Sequence, residues 1–251
     1  MAFGAEKHVY TGTRVDQAEF DAGLRAHMLR VYNYMVCGLL LTGILAVVVA
    51  QFSVVTNDAG QIVGLTSLGQ TLFGSPLKWV VMLAPLGLVF FLSARLHKMS
   101  YGTAQTTFWI YAALMGISLA TIFMAFTGAS VARVFFITAG TFAGMSLWAY
   151  TTKKDLSGWG SFLFMGLIGI IIAMIVNIFI GSSALQFAIS VIGVLVFVGL
   201  TAYDTQNIKN EYAEHYDEET QGKLAISGAL RLYLDFINLF IMLLHLFGNR
   251  E

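Results

Sequence analysis

Leu232–Phe247 reads LYLDFINLFIMLLHLF, the last apolar run of the chain, and an aspartate stands inside it. A carboxylate at the centre of a bilayer-spanning helix costs roughly 2.5–3.5 kcal/mol on insertion scales. A second acid, Asp204, ends the preceding apolar run in VGLTAYDTQNIK (Val198–Lys209). Ionisable residues inside membrane segments are rare and mark functional positions. The plainer alternative is that a neighbouring Arg or Lys neutralises each acid, which then only orients its helix.

Composition sets the class. Of 251 residues, 57% are hydrophobic and 11% charged, and the mean hydropathy is +0.75. Soluble domains carry about 25% charged residues, so the chain reads as an integral membrane protein. Its net charge of +0 gives a nucleic-acid partner no electrostatic support. The one cysteine, Cys37, lies in an apolar run, allows no intramolecular disulfide and reads as a core filler. The first apolar run starts near Val31, too late and with too long a lead for a signal peptide, so it reads as a retained span.

About 20 mostly apolar residues cross the hydrocarbon core. Seven runs qualify, at about 31–52, 78–96, 105–126, 131–150, 160–180, 184–204 and 225–247. The second contains Pro85, which membrane helices tolerate. With the N-terminus in the cytoplasm, eleven Lys and Arg fall inside and three outside, the outer ones being Lys78, Arg133 and Arg250. Basic residues favour the cytoplasmic side. This predicts an N-terminus inside and a C-terminus outside.

Two units follow: a cytoplasmic amphipathic segment over 1–30 and a seven-helix transmembrane domain over 31–251. In the first, Asp16 and Glu19 make a capping-box pattern. Phe20, Leu24, Met28 and Val31 then recur at helical spacing, which predicts a helix lying on the inner membrane surface. The outer loop 53–77 is rich in Gly, Ser and Thr, and its apolar residues suggest an interfacial turn of helix.

On the last span, Ser227, Arg231, Asp235, Asn238 and His245 fall at spacings of four, four, three and seven. They share one helix face. In lipid such a stripe faces protein or a water-filled cavity, so this span is expected at the centre of the bundle. Arg231 either pairs with Asp235 four residues on or snorkels to the cytoplasmic surface. Asn238 reads as a hydrogen-bonding partner within the bundle or part of a conduction path, and His245 as an interfacial histidine.

Depth is a constraint. Asp204 ends span 6 at the cytoplasmic edge, while Asp235 lies about ten residues, roughly 15 Å, into span 7. The two meet if span 7 begins before the membrane, which the weak start at Gly222, Ser227 and Gly228 allows. Two carboxyls in hydrogen-bonding contact share a proton rather than both ionising. Between them, Asn207–Lys223 carries Glu211, Glu214, Asp217, Glu218 and Glu219. It reads as a solvated acidic loop, or more sharply as a vestibule attracting cations. It lacks the ligand spacing of an EF-hand.

VGLTAYDTQNIK and ALRLYLDFINLF resemble the two C-terminal signatures of the Bax inhibitor-1 family, which includes bacterial YccA- and YetJ-type members. TAGTFAGMSLWAYTTKKDLS (Thr138–Ser157) resembles that family's fourth span and the loop after it. Three motifs in the right order cover nearly everything after span 1. The resemblance implies an all-α membrane fold of seven helices, six packed around a central C-terminal one. It implies a calcium-permeable, pH-sensitive leak in a bacterial inner membrane, with Asp204 and Asp235 as the proton-sharing, gating pair. An arginine at the end of span 2 is the family's latch to that pair, and Arg95 in FFLSARLHK is the nearest match.

Calcium prefers several oxygen ligands. Asp204 and Asp235, with Asn238 and backbone carbonyls, would give it a weak contact suited to passage rather than storage. No tightly bound cofactor is expected; calcium ions and protons are the expected partners. An intramembrane aspartyl protease also pairs aspartates on adjacent spans, and Asp204 in AYDT fits one half. Asp235 in LYLDF lacks the GxGD setting that lets a substrate backbone approach, so the chain does not read as an enzyme. A third reading is a non-conducting protein that restrains a membrane protease or another membrane partner, through the N-terminal segment or the acidic loop.

Overall fold

The computed structural model describes residues 14–57 and 62–249. Lys7 and Arg250, two of the charges that orient the chain, lie outside them. Helix α1 runs without a break from Arg14 to Ser53, 40 residues, or about 60 Å at helical rise. The stretch holds no proline. The surface helix expected before residue 31 is therefore the N-terminal extension of the first span itself. Its apolar positions Leu24, Met28 and Val31 are buried against protein, so its apolar face needs no membrane surface to cover it. Asp16 falls inside the helix rather than at its cap.

The loop after α1 departs from expectation in part. Val54–Thr56 (β1) and Ile62–Leu65 (β2) form a small antiparallel hairpin with Val54 opposite Leu65. The expected turn of helix follows at Ser67–Gly69, capped by the Thr66 hydroxyl, and continues through Gln70–Gly74. α2 spans Leu77–Arg95 with Pro85 inside it. α3 spans Tyr101–Leu119, capped by Ser100. α4 spans Gly128–Thr151, capped by Thr127. α5 spans Gly160–Ile180 and ends on Gly181 at φ +66, the left-handed backbone that glycine adopts without penalty. α6 spans Ser183–Glu211 from a Ser182 cap, and α7 spans Glu218–Phe247 from an Asp217 cap. Each cap supplies an acceptor to an otherwise orphaned helix N–H.

These seven helices are each long and apolar enough to cross a membrane. α7 is the axis: 61% of its apolar window is buried, against 39% for α6 and 11% for α5. Six helices surround it in two layers. α1, α3, α4 and α6 lie directly on it, α2 packs on α3, and α5 packs on α6. Hydropathy explains the outer place of α5. At 2.8 it is the most apolar span, with no polar stripe to shield, so it faces lipid at little cost. Ile178 and Phe179 stand almost wholly exposed there.

Each face of α7 meets a different neighbour. Tyr233 packs edge-on to Phe108 and Tyr111 of α3. Phe236 meets Phe135 and Phe142 of α4. Thr42 of α1 ties three helices at once: its hydroxyl donates to the Ala112 carbonyl at 2.8 Å and bonds the Tyr233 hydroxyl at 2.7 Å.

Candidate functional site

α6 and α7 lie antiparallel at close range because glycines line their contact. Ile208 sits over Gly228, where a Cβ would come within 3.1 Å of it. Met242 sits over Gly193, where a Cβ would come within 2.8 Å. Small residues let membrane helices approach in this way. Between these two contacts, Asp204 falls beside the Arg231–Asp235 turn. The depth difficulty is resolved at the helix ends. α6 continues to Glu211, and α7 begins at Glu218, seven residues before the expected start of span 7. The connection therefore lies well beyond the level of the pair.

The carboxyls of Asp204 and Asp235 lie close enough across the α6–α7 contact to act on one another. Asp235 is 4% exposed, and its Oδ2 meets no N–H or O–H donor. A carboxyl is a donor only when protonated.

Arg231 does not pair with Asp235 along the helix. It crosses to α6, where its Nη1 lies 3.9 Å from Asp204 Oδ1 and its Nη2 donates to Glu211 Oε2. The reason is angular. Positions 231 and 235 share a face only approximately, and Asp235 is turned into the α6 contact while Arg231 lies at its edge. The same turn takes Asp235 out of the polar stripe. Between Ala225 and Leu244 only Ser227, Arg231, Leu234, Asn238 and Ile241 are less than fully buried. They form one line at spacings of four and three, which His245 continues in an exposed position. Asn238 on this line donates to the Leu234 carbonyl at 2.8 Å, and His245 meets the Phe126 ring.

A hydroxyl cluster braces the pair from behind. Tyr32 of α1 bonds Ser146 of α4 at 2.6 Å, and Ser146 bonds Thr205 at 2.9 Å, one residue from Asp204. Next along α6, Gln206 holds the loop after α4: its Oε1 accepts from Leu156 N at 2.7 Å and its Nε2 donates to the Lys154 carbonyl at 2.8 Å. The α6 backbone around Asp204 is thus fixed to α1, α4 and the loop.

The acidic stretch is divided among structural tasks. Glu211 binds Arg231. Asp217 caps α7, accepting from Thr220 N, and its hydrogen bonds to the Thr220 side chain and then to the Thr220 backbone hold its carboxyl below the ordinary value. Glu218 and Glu219 sit in the first turn of α7, where the helix dipole favours negative charge. Glu219 pairs with Lys223 at 3.3 Å. Arg95, at the end of α2, is exposed, and the structure does not bring it to the pair. Among the described residues no three acids, histidines or cysteines converge on a point that would hold a metal ion.

The family described as "Inhibitor of apoptosis-promoting Bax1" matches residues 24–251. The chain belongs to the Bax inhibitor family. The Escherichia coli K12 inner membrane protein YbhL is 48% identical, over 92% of this chain and 94% of its own. The Rickettsia prowazekii protein RP147 is 46% identical over 92% and 93%, and a Caulobacter vibrioides protein is 45% identical over 92% of each. Within this Bax inhibitor fold, four residues escaped the sequence reading. Glu211 looked like part of a solvated loop. Ser146 and Thr205 looked like ordinary small polar residues in apolar helices. His27 is buried on α1. It falls three residues after Leu24 and four before Val31, on the buried face, and that position was the available signal.

Proposed function

We propose that the chain is a cation leak channel, permeable to calcium, whose state is set by the proton shared between Asp204 and Asp235. The closeness of two carboxyls on adjacent spans, one of them enclosed and with an oxygen that meets no donor, carries this reading. In a low-dielectric site such a pair holds either a proton or a passing cation, and exchange between the two is the chemistry of a pH-dependent leak. The accessible line on α7 supports a path. On a helix otherwise enclosed by protein, Ser227, Arg231, Asn238 and His245 offer polar contacts along nearly the full length of the span. Calcium would touch Asp204 and Asp235 weakly and move on, since two carboxyls fall well short of its usual six to eight oxygens.

Arg231 serves as the local latch in this scheme, already placed at Asp204. Arg95 joins it only if the cytoplasmic end of α2 moves. The pair is better suited to gating than to proteolysis, because Asp235 in LYLDF lacks the glycine setting that lets a peptide backbone approach. Seven apolar helices, the excess of Lys and Arg in the loops on one side, and the inner-membrane relative YbhL favour a bacterial inner membrane with the N-terminus inside and the C-terminus outside.

Purified protein in liposomes loaded with a calcium indicator tests this. The wild type should pass calcium at a rate that changes with pH, and Asp235→Asn should pass it at a rate that does not. A wild type without flux at any pH, or an Asp235→Asn variant with an unaltered pH profile, would sink the proposal.

A further inference from the structure

The connection between α1 and α2 is apolar where a loop in water would be charged. From Phe52 to Leu77 the one ionisable side chain is Asp58. The short turn between α6 and α7, by contrast, carries Glu214 and Asp217. Five spans, α2 to α6, separate these two connections, so they lie at opposite ends of the bundle.

The β1–β2 hairpin turns apolar side chains outward. Val55, Val63, Leu65 and Leu68 are exposed, Val63 to 62%. Val55 stands opposite Gly64, which has no side chain to cover it, and a Cβ at Gly64 would meet nothing within 4 Å. A hairpin of two strands is marginal in water and needs apolar cover. The neighbouring helices do not cover these four residues, and a patch of this kind on the surface marks a contact.

The stretch is anchored and satisfies much of its own polarity. Thr66 N donates to the Ser53 carbonyl at 3.0 Å, and the Thr66 hydroxyl donates to the Phe52 carbonyl at 2.7 Å. Both bonds fasten the base of the hairpin to the last turn of α1. The Thr71 and Ser75 hydroxyls likewise donate to carbonyls of the same stretch, those of Ser67 and Thr71. Polar groups near lipid are satisfied internally in this way. The exposed apolar surface begins at Phe52, at the end of α1, and resumes at Trp79 in the first turn of α2. The Lys78 ammonium lies 5.5 Å from the centre of the Trp79 ring. Tryptophan concentrates at the membrane interface, and a lysine beside it reaches for water. The hairpin thus joins two lipid-facing helix ends at interface level.

We propose that the β1–β2 hairpin and the turn after it form a lipid-binding element. It sits in the headgroup–acyl boundary of the leaflet farther from the acidic α6–α7 turn. Its occupant is lipid, held by apolar contact alone, because the element offers a headgroup no basic side chain. The unpaired strand edges could otherwise take up a second copy of the chain by strand addition, but continuity with the lipid-facing ends of α1 and α2 favours the bilayer. This seat is independent of what the bundle conducts.

The test uses the full chain in liposomes, with Cys37→Ser so that a nitroxide can be attached at one chosen cysteine. Val63→Cys places the label on the hairpin, and Glu214→Cys places it on the acidic turn as the reference for water. At Val63, collisions with oxygen should exceed those with a water-soluble nickel chelate, and the ratio should give a depth of about 5–10 Å into the boundary region. At Glu214 the order should reverse. The Val63 depth should be the same in phosphatidylcholine with and without phosphatidylglycerol, and at low and high salt.

A Val63 label reached by nickel as readily as the Glu214 label overturns the proposal, since the hairpin then stands in water. A label shielded from both reagents, with broadening that disappears on dilution into unlabelled chain, overturns it in favour of a second copy. A depth that appears only with phosphatidylglycerol also overturns it, because the contact would then depend on headgroup charge. If Val63→Cys fails to fold, Gly64→Cys carries the label instead, its Cβ meeting open space.

Discussion

Arg231 lies 3.9 Å from Asp204, on the neighbouring helix, and forms no ion pair with Asp235, one turn away on its own. This separates the two acids by environment. Asp204 has the Arg231 guanidinium beside it and is partly accessible; Asp235 forms no ion pair and is enclosed.

Asp235→Asn should stabilise the protein at neutral pH. The amide supplies a permanent N–H donor to Asp204 in place of a proton that must be captured, a gain on the order of 1 kcal/mol. Asp204→Asn should be less favourable, because Arg231 loses a counter-charge. Thermal unfolding of the two variants in detergent, compared at pH 7, checks the order.

Arg231→Gln leaves Glu211 and Asp204 facing each other without a cation. All three groups are partly solvated, so the loss should be about 1–2 kcal/mol, below the value for a fully buried pair. High salt should reduce the difference from wild type. A melting-temperature loss that is independent of salt would contradict the electrostatic account.

Glycine contacts differ in what a methyl would meet. At Gly116 a Cβ would lie 2.7 Å from the Thr42 carbonyl oxygen, which is backbone. At Gly193 it meets the flexible side chain of Met242. Gly116→Ala should therefore destabilise by about 1–3 kcal/mol, and Gly193→Ala by clearly less. Unfolding midpoints of the two variants measure the contrast.

The Thr42–Tyr233 bond gives an asymmetric pair. Tyr233→Phe leaves Thr42 its bond to Ala112 and should cost about 0.5–1.5 kcal/mol. Thr42→Val leaves a buried tyrosine hydroxyl unpaired and should cost more. Equal losses would show that the hydroxyl finds another partner.

Asp217 caps α7 as a carboxylate. Its hydrogen bond holds the folded carboxyl below the ordinary value of 3.8, so the cap is complete at neutral pH and is lost as the pH falls through that lowered value. Asp217→Ala should speed amide exchange at Thr220 near pH 7, and Asp217→Ser should restore protection.

Much of the architecture was legible in the chain because lipid imposes simple rules. Seven apolar runs became seven helices, and the polar content of the last run placed it at the centre. The errors came where protein replaced lipid as the neighbour. Residues 14–30 looked like a surface helix, since an apolar stripe does not say whether it meets lipid or Tyr212. The stripe on α7 looked like one face, since helical spacing does not distinguish Asp235 turned into α6 from Asn238 at its edge.

The sequence by itself determined that two carboxylates must stand in consecutive membrane helices, because charge in an apolar run is visible without coordinates. Only the tertiary structure decided that they come close enough to act on one another, and that Arg231 crosses to α6 instead of pairing along its own helix. It alone placed Arg231 between Glu211 and Asp204. Those outcomes depend on helix register. Register is fixed by where glycines let side chains sit and how far each helix runs past the membrane, which no single stretch of sequence states.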